Sequence, residues 1–185
     1  MTPDEGREHL TEQLQAVARG DRTALAQIYH LTSAKLYGLV LRILSNRDEA
    51  EDVLQEVYLT VWNKADRFDP TRASPISWLA AIARNRAIDR LRALRSRSGH
   101  DSAEAANDLP DEAPGPLHLL ETGDEARRLV TCLETIDERT RGAIVSAFFG
   151  GRTYEELATS AGMPLGTMKS AIRRALIRLR GCLEP

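Results

Sequence analysis

Residues 153–180 read TYEELATSAGMPLGTMKSAIRRALIRLR. Thr153 followed by Glu156 has the spacing of a capping box, which opens a short helix by satisfying two of its free backbone donors. Leu157, Ala158 and Ala161 give that helix one apolar face. Gly162 then admits the left-handed backbone of a tight turn. Pro164 opens a second helix, where its missing N–H costs nothing. In the second helix Leu165, Met168, Ile172, Leu176 and Leu179 recur near the helical period and are expected to pack inward. Lys169, Ser170, Arg173 and Arg174 fall on the other side. A short helix, a glycine turn and a longer helix with a basic outer face form the pattern of a DNA-binding helix-turn-helix. Lys and Arg donate to guanine O6 and N7 or to phosphate, and Ser serves either. A plain αα-hairpin with a solvated basic face has the same outline; the small alanines, the glycine turn and the one-sided charge favour DNA.

Upstream, residues 9–95 read as helix after helix. Leu25, Ile28, Tyr29, Leu36, Leu39, Val40 and Ile43 keep close to a helical period. Asn46 marks a break, and Asp48 is expected to cap the next helix, with Glu49 and Glu51 favourable near its positive end. That helix sets Val53, Leu54, Val57, Tyr58, Val61 and Trp62 on one stripe. Pro70 and Pro75 then deny helix to their neighbours, and a further helix is expected from near Ile76 to about Arg95. Residues 98–120 are rich in Ser, Ala, Asp, Pro and Gly, the composition of a flexible acidic linker. The helical pattern returns at about Gly123. No strand-like alternation of any length occurs. The expectation is an all-α chain of two small helical domains, residues 1–95 and 123–185, joined by an acidic linker over 96–122.

Charge is segregated along this plan, although the 185-residue chain is formally −2 overall. Residues 48–61 hold five acids and no Lys or Arg, and residues 83–97 hold six arginines and one acid, Asp89. Residues 98–126 hold eight acids and no Lys or Arg, and residues 164–181 five basic groups and no acid. Blocks of alternating sign suggest separate surfaces for separate partners. On a wheel of the arginine-rich helix, Ala83, Ala87, Leu91 and Leu94 face inward. Trp78, Ile82, Asn85, Asp89 and Arg92 share the other side. A basic helix bearing an amide and an indole suits nucleic-acid backbone and unstacked bases. The alternative is a core Trp78, with Asp89 paired to Arg92 or Arg86.

Several classes find no support. No run approaches the ~20 apolar residues of a transmembrane helix. The amino-terminal MTPDEGREHLTEQLQ lacks a signal peptide's basic start and apolar run, so a cytoplasmic chain is expected. Cys132 and Cys182 are too few and too far apart for a disulfide framework or zinc cluster. His9, His30, His100 and His118 are scattered. No Gly-rich phosphate loop, HExxH or GxSxG occurs. No metal, cofactor or catalytic activity is expected.

Three segments, taken in order, resemble a known family. DEAEDVLQEVYLTVW (48–62), FDPTRASPISWLAAIARNRAIDRLR (68–92) and the 153–180 segment are similar to regions 2.2, 2.3–2.4 and 4.2 of bacterial RNA polymerase sigma factors of the extracytoplasmic-function (group IV) type. The resemblance spans about residues 10–183. It implies that Asp52, Gln55 and Glu56 bind the clamp helices of the core polymerase. It implies that the loop from Phe68 to Ser77 captures a flipped base of the −10 promoter strand. Trp78, Arg84, Asn85, Arg86 and Arg92 would hold that strand, their contacts offsetting an unstacking cost of a few kcal/mol per base. Lys169, Ser170, Arg173 and Arg174 would read the −35 element. An anti-sigma factor is the implied regulator, and no stable homo-oligomer is expected. Ala171 stands where the family often has Arg, and Pro75 lies within the −10 loop.

Cys132 and Cys182 fall on the first and last helices of the second domain. One reading is a reversible disulfide that alters affinity for the inhibitor; the other is two ordinary thiols in a reducing cytoplasm. Two rival functions have distinct requirements. A stand-alone helix-turn-helix regulator needs neither the acidic DVLQE helix nor a second basic helix. A recombinase needs a nucleophile or carboxylate cluster that is not found.

Overall fold

In the computed structural model, residues 3–97 and 124–183 are described, and among them all regular structure is helical. The expected acidic linker lies, from residue 98 on, outside the described residues. The chain divides into two compact units, residues 1–97 and 98–185.

Unit 1 holds α1 (Pro3–Ala18), α2 (Arg22–Leu44), α3 (Arg47–Lys64) and α4 (Pro75–Arg97), with a 3-10 turn at Ala65–Arg67. Its breaks have local causes. Gly20 takes φ +89° after α1, and the Asp21 side chain caps α2 by accepting from the amides of Thr23 (2.8 Å) and Ala24 (3.2 Å). Asn46, not Asp48, caps α3: its backbone is extended (φ −138°) and its side chain accepts from the Glu49 amide at 3.0 Å. Asp48 and Glu49 therefore sit inside the first turn, against the helix's positive end. Pro75 is the first residue of α4 rather than a loop breaker. Proline holds the residue before it extended, which suits Ser74 as the cap; Ser74 Oγ accepts from the Ser77 amide at 3.3 Å.

All four helices contribute to one core. Leu14 and Val17, Ile28, Leu36 and Val40, Val53, Val57 and Val61, and Leu79, Ala83 and Ala87 are buried at helical spacing. The buried polar pair inside it is satisfied. Thr32 Oγ1 donates to the Ile28 carbonyl (2.7 Å), so Tyr58 Oη donates to Thr32 (2.8 Å).

Unit 2 holds α5 (Asp124–Glu134), α6 (Glu138–Phe148), α7 (Tyr154–Ser160) and α8 (Leu165–Leu183). The capping box at Thr153 and Glu156 is present in both directions, at 3.2 Å and 2.6 Å. Gly162 takes φ +60°, the conformation that needs glycine. Pro164 precedes α8, its carbonyl accepting from the Thr167 and Met168 amides. Ala143, Leu157, Ala158, Met168 and Ile172 form the core. Leu176, expected inward, is 44% exposed, and Ala175 is buried in its place. At about 100° per residue, Met168, Ile172, Ala175, Leu179 and Cys182 cluster on one line, while Leu176 lies roughly 80° off it. Cys132 and Cys182 are disulfide-bonded, with Cα atoms 5.8 Å apart, so α5 and α8 are neighbours.

Candidate nucleic-acid and partner interfaces

The basic face of α8 is built as a rigid presentation. Lys169, Ser170, Arg173 and Arg174 are all exposed, opposite the Met168–Ile172–Ala175 line. The turn before α8 is tied down from α6, because Arg139 donates to the Ala161 carbonyl, one of the free acceptors at the end of α7. The structure gives Arg178 a different task from its neighbours. It donates to the Thr135 carbonyl at 3.3 Å and fastens α8 to the α5–α6 turn. Arg174 borders a cleft of about 220 Å³ with Asp137, Thr140 and the half-buried Ala171. Bonds from the Thr140 amide and hydroxyl hold the Asp137 carboxyl below the usual carboxylate range.

The second basic helix, α4, is two-sided. Asn85, Asp89 and Arg92 are exposed on one side, as the wheel predicts, and Asn85 Oδ1 accepts from Arg84 Nη1 at 3.4 Å. Trp78 is half-buried and packs on Phe68, ring centroids 5.6 Å apart, at the junction of the loop and α4. The loop between them is preorganised: Asp69 accepts from the Thr71 amide and hydroxyl, which lowers its carboxyl pKa. Arg86 does not join Asn85 and Arg92. Its Nη2 donates to Thr60 Oγ1 on α3 at 3.0 Å, and its Nη1 lies 4.0 Å from Glu56 Oε2. Arg90 also turns to α3, donating to Glu49 and lying 3.9 Å from Asp52. Of the two arginines offered as alternative partners for Asp89, Arg86 therefore takes its partners on α3 instead.

On α3, Asp52, Gln55 and Glu56 are exposed on one face. Leu59 completes that face at 64% exposure, an apolar group rimmed by polar ones. Sequence reading passes over it, although a leucine off the Val53–Val57–Val61 stripe is a legible signal. A cleft of about 400 Å³ opens beside it, lined by Tyr29, Tyr37, Glu51, Leu54 and Gln55 among others. Among the described residues no three His, Cys, Asp or Glu side chains converge as metal ligands. No helix there is long and apolar enough to cross a membrane.

One chain thus carries two basic helices on two separate units and an acidic helix packed against one of them. Comparison with known proteins follows the same division. The family model for Sigma-70 region 2 matches residues 28–97, and that for Sigma-70, region 4 matches residues 132–181. The ECF RNA polymerase sigma factor SigK of Mycobacterium ulcerans is 38% identical over 185 residues, 100% of this chain and 99% of its own. The ECF RNA polymerase sigma factor RpoE of Cereibacter sphaeroides is 41% identical over 160 residues, 86% of each chain. The crystal structure of Rhodobacter sphaeroides SigE in complex with the anti-sigma ChrR shares 36% identity, covering 92% of this chain and 98% of that one, with a TM-score of 0.49. The full-length relatedness and the ordered pair of region matches place the chain in the family of ECF RNA polymerase sigma factors.

Proposed function

We propose that the chain confers promoter specificity on core RNA polymerase through three surfaces. The α3 face of Asp52, Gln55 and Glu56, with Leu59 added, docks on the polymerase. The loop at Phe68 and Trp78 receives a base of the −10 strand, and Arg84, Asn85 and Arg92 on the outer side of α4 hold that strand. Arg86 acts from the α3 side. Lys169, Ser170, Arg173 and Arg174 read the −35 duplex in the major groove. The two working domains are residues 1–97, which take in the whole of α4, and residues 123–185, with the acidic segment between them as the tether. The protein acts in the cytoplasm, catalyses no reaction itself and is restrained by an anti-sigma factor. The Cys132–Cys182 bond is reversible, and its state sets affinity for that inhibitor.

What supports this reading most is the placement of basic faces on two units of one chain, the arrangement needed to touch two promoter elements at once. Bivalent contact raises affinity through effective concentration. Permanganate footprinting of the holoenzyme tests it. Thymines near −10 should become reactive only when core polymerase, this chain and promoter DNA are combined. Asn85→Ala should suppress that reactivity and leave −35 protection in place. Equal reactivity without the chain would remove the proposal.

A further inference from the structure

Between the proposed polymerase face and the −10 face lies a ladder of ion pairs. Along α3, Glu49, Asp52 and Glu56 recur at i, i+3 and i+7; along α4, Arg86 and Arg90 recur at i and i+4. Arg86 meets Glu56, and Arg90 meets Glu49 and Asp52, so the two helices run antiparallel with the charges as rungs. The rungs differ in strength. Arg90 and Glu49 make the tight pair and are the more shielded, their side chains 31% and 23% exposed. The contacts to Asp52 and Glu56 are long, 3.9 Å and 4.0 Å, and those acids are 66% and 49% exposed.

We infer that Glu49 and Arg90 are a positioning pair for −10 strand binding: they fix the rotation of α4 on α3 and so the direction in which Asn85 and Arg92 face. At about 100° per residue, Arg90 lies close to the line of Ala83 and Ala87, whereas Asn85 and Arg92 lie roughly 180–200° away from Ala83. Arg90 therefore faces α3 whenever Asn85 faces the strand. A basic group of the polymerase competes for the exposed Asp52 and Glu56, where Arg86 and Arg90 are held loosely. Glu49 is shielded from that competition and retains Arg90, so α4 keeps its rotation while α3 is engaged. The inference rests on the roles of α3 and α4 proposed above.

The test uses the full chain assembled with core polymerase. The probe is a fluorescent single-stranded oligonucleotide carrying the −10 strand of a promoter mapped by run-off transcription. Arg90→Ala and Glu49→Gln should each weaken strand binding roughly tenfold, the order of effect of losing one hydrogen bond between charged groups. The slope of log K against log salt should not change, because Arg90 meets no phosphate. Arg90→Lys should restore part of the loss. The exchanged pair Glu49→Arg with Arg90→Glu should bind the strand more tightly than Glu49→Arg or Arg90→Glu alone, short of wild type because the moved carboxylate meets Asp52 and the moved cation meets the positive end of α3. A positioning role thus predicts rescue with reversed polarity, which a phosphate contact cannot give. Three results would overturn the inference. The first is wild-type strand binding by Arg90→Ala. The second is a salt slope reduced by about 0.7, the value of one single-strand phosphate contact. The third is an exchanged pair that binds no better than Arg90→Glu alone. The wild-type arm separately tests the parent reading, which fails if the holoenzyme binds the strand no better than core polymerase alone.

Discussion

Reducing the Cys132–Cys182 bond should destabilise the second unit alone, by an amount set by the loop it closes. The two cysteines are 50 residues apart in sequence. In the chain-entropy treatment, closing a loop of that length removes about 4 kcal/mol of freedom from the unfolded chain at 25 °C. The closed loop contains α6, α7 and nearly all of α8, the whole helix-turn-helix. In a domain of this size 1 kcal/mol moves the melting temperature by about 4–8 °C, so the shift expected is roughly 15–30 °C. Calorimetry of the full chain with and without reductant measures it. Unit 1 contains no cysteine, so its transition is an internal control and should stay in place. Cys132→Ser with Cys182→Ser should melt like the reduced protein and ignore reductant. A second-unit transition that moves by less than about 4 °C, the response to 1 kcal/mol, would refute the reasoning. So would an equal shift in both units. The corollary is that the oxidised chain should hold α5 on α8 more firmly than the reduced one.

Other expectations address single surfaces. Lys169→Ala and Arg174→Ala should each weaken −35 duplex binding. A lost phosphate contact lowers the salt slope by about 0.9, and a lost base contact costs about 1–3 kcal/mol with relaxed sequence preference; electrophoretic titration at several salt concentrations separates the two. Gln55→Ala with Glu56→Ala should weaken core polymerase binding in fluorescence titration while the helical circular dichroism stays unchanged. Tyr58→Phe removes the donor to Thr32 and should cost unit 1 about 1 kcal/mol in denaturant unfolding. Burial raises the Tyr58 pKa, so the unfolded chain releases this proton first. The stability it contributes is whole below about pH 10 and is lost as pH rises toward the folded value. Tyr58→Phe should lose less stability than wild type over that alkaline range.

Much of the architecture was legible because its causes are local. The capping box at Thr153 and Glu156, the left-handed Gly162 and the outward set Lys169, Ser170, Arg173 and Arg174 all follow from residues within one or two turns. The misreadings are local as well. Asn46 and Asp48 are both good caps, and the choice fell to the residue whose backbone is extended. Leu176 keeps a helical spacing from Ile172, but the buried line drifts with the helix's 3.6-residue turn and takes Ala175 instead. What was not legible is pairing across helices. Six arginines in residues 83–97 read as one basic block, yet Arg86 and Arg90 answer acids on α3 some forty positions earlier in the case of Glu49. Net charge along a segment does not reveal which charges are spent within the fold. The wheel carries the missing signal, since Arg90 lies in line with Ala83 and Ala87 rather than with Asn85.

The most direct measurement is run-off transcription from the chain's own genomic templates with purified core polymerase. The chain should yield discrete, promoter-dependent transcripts, and an unlabelled −35/−10 duplex should compete them away. Combined loss of the α3 face, through Gln55→Ala with Glu56→Ala, and of the α8 face, through Lys169→Ala with Arg174→Ala, should abolish them. Absence of any promoter-dependent transcript with wild-type protein, or its persistence after both faces are removed, would contradict the assignment of promoter specificity to these surfaces.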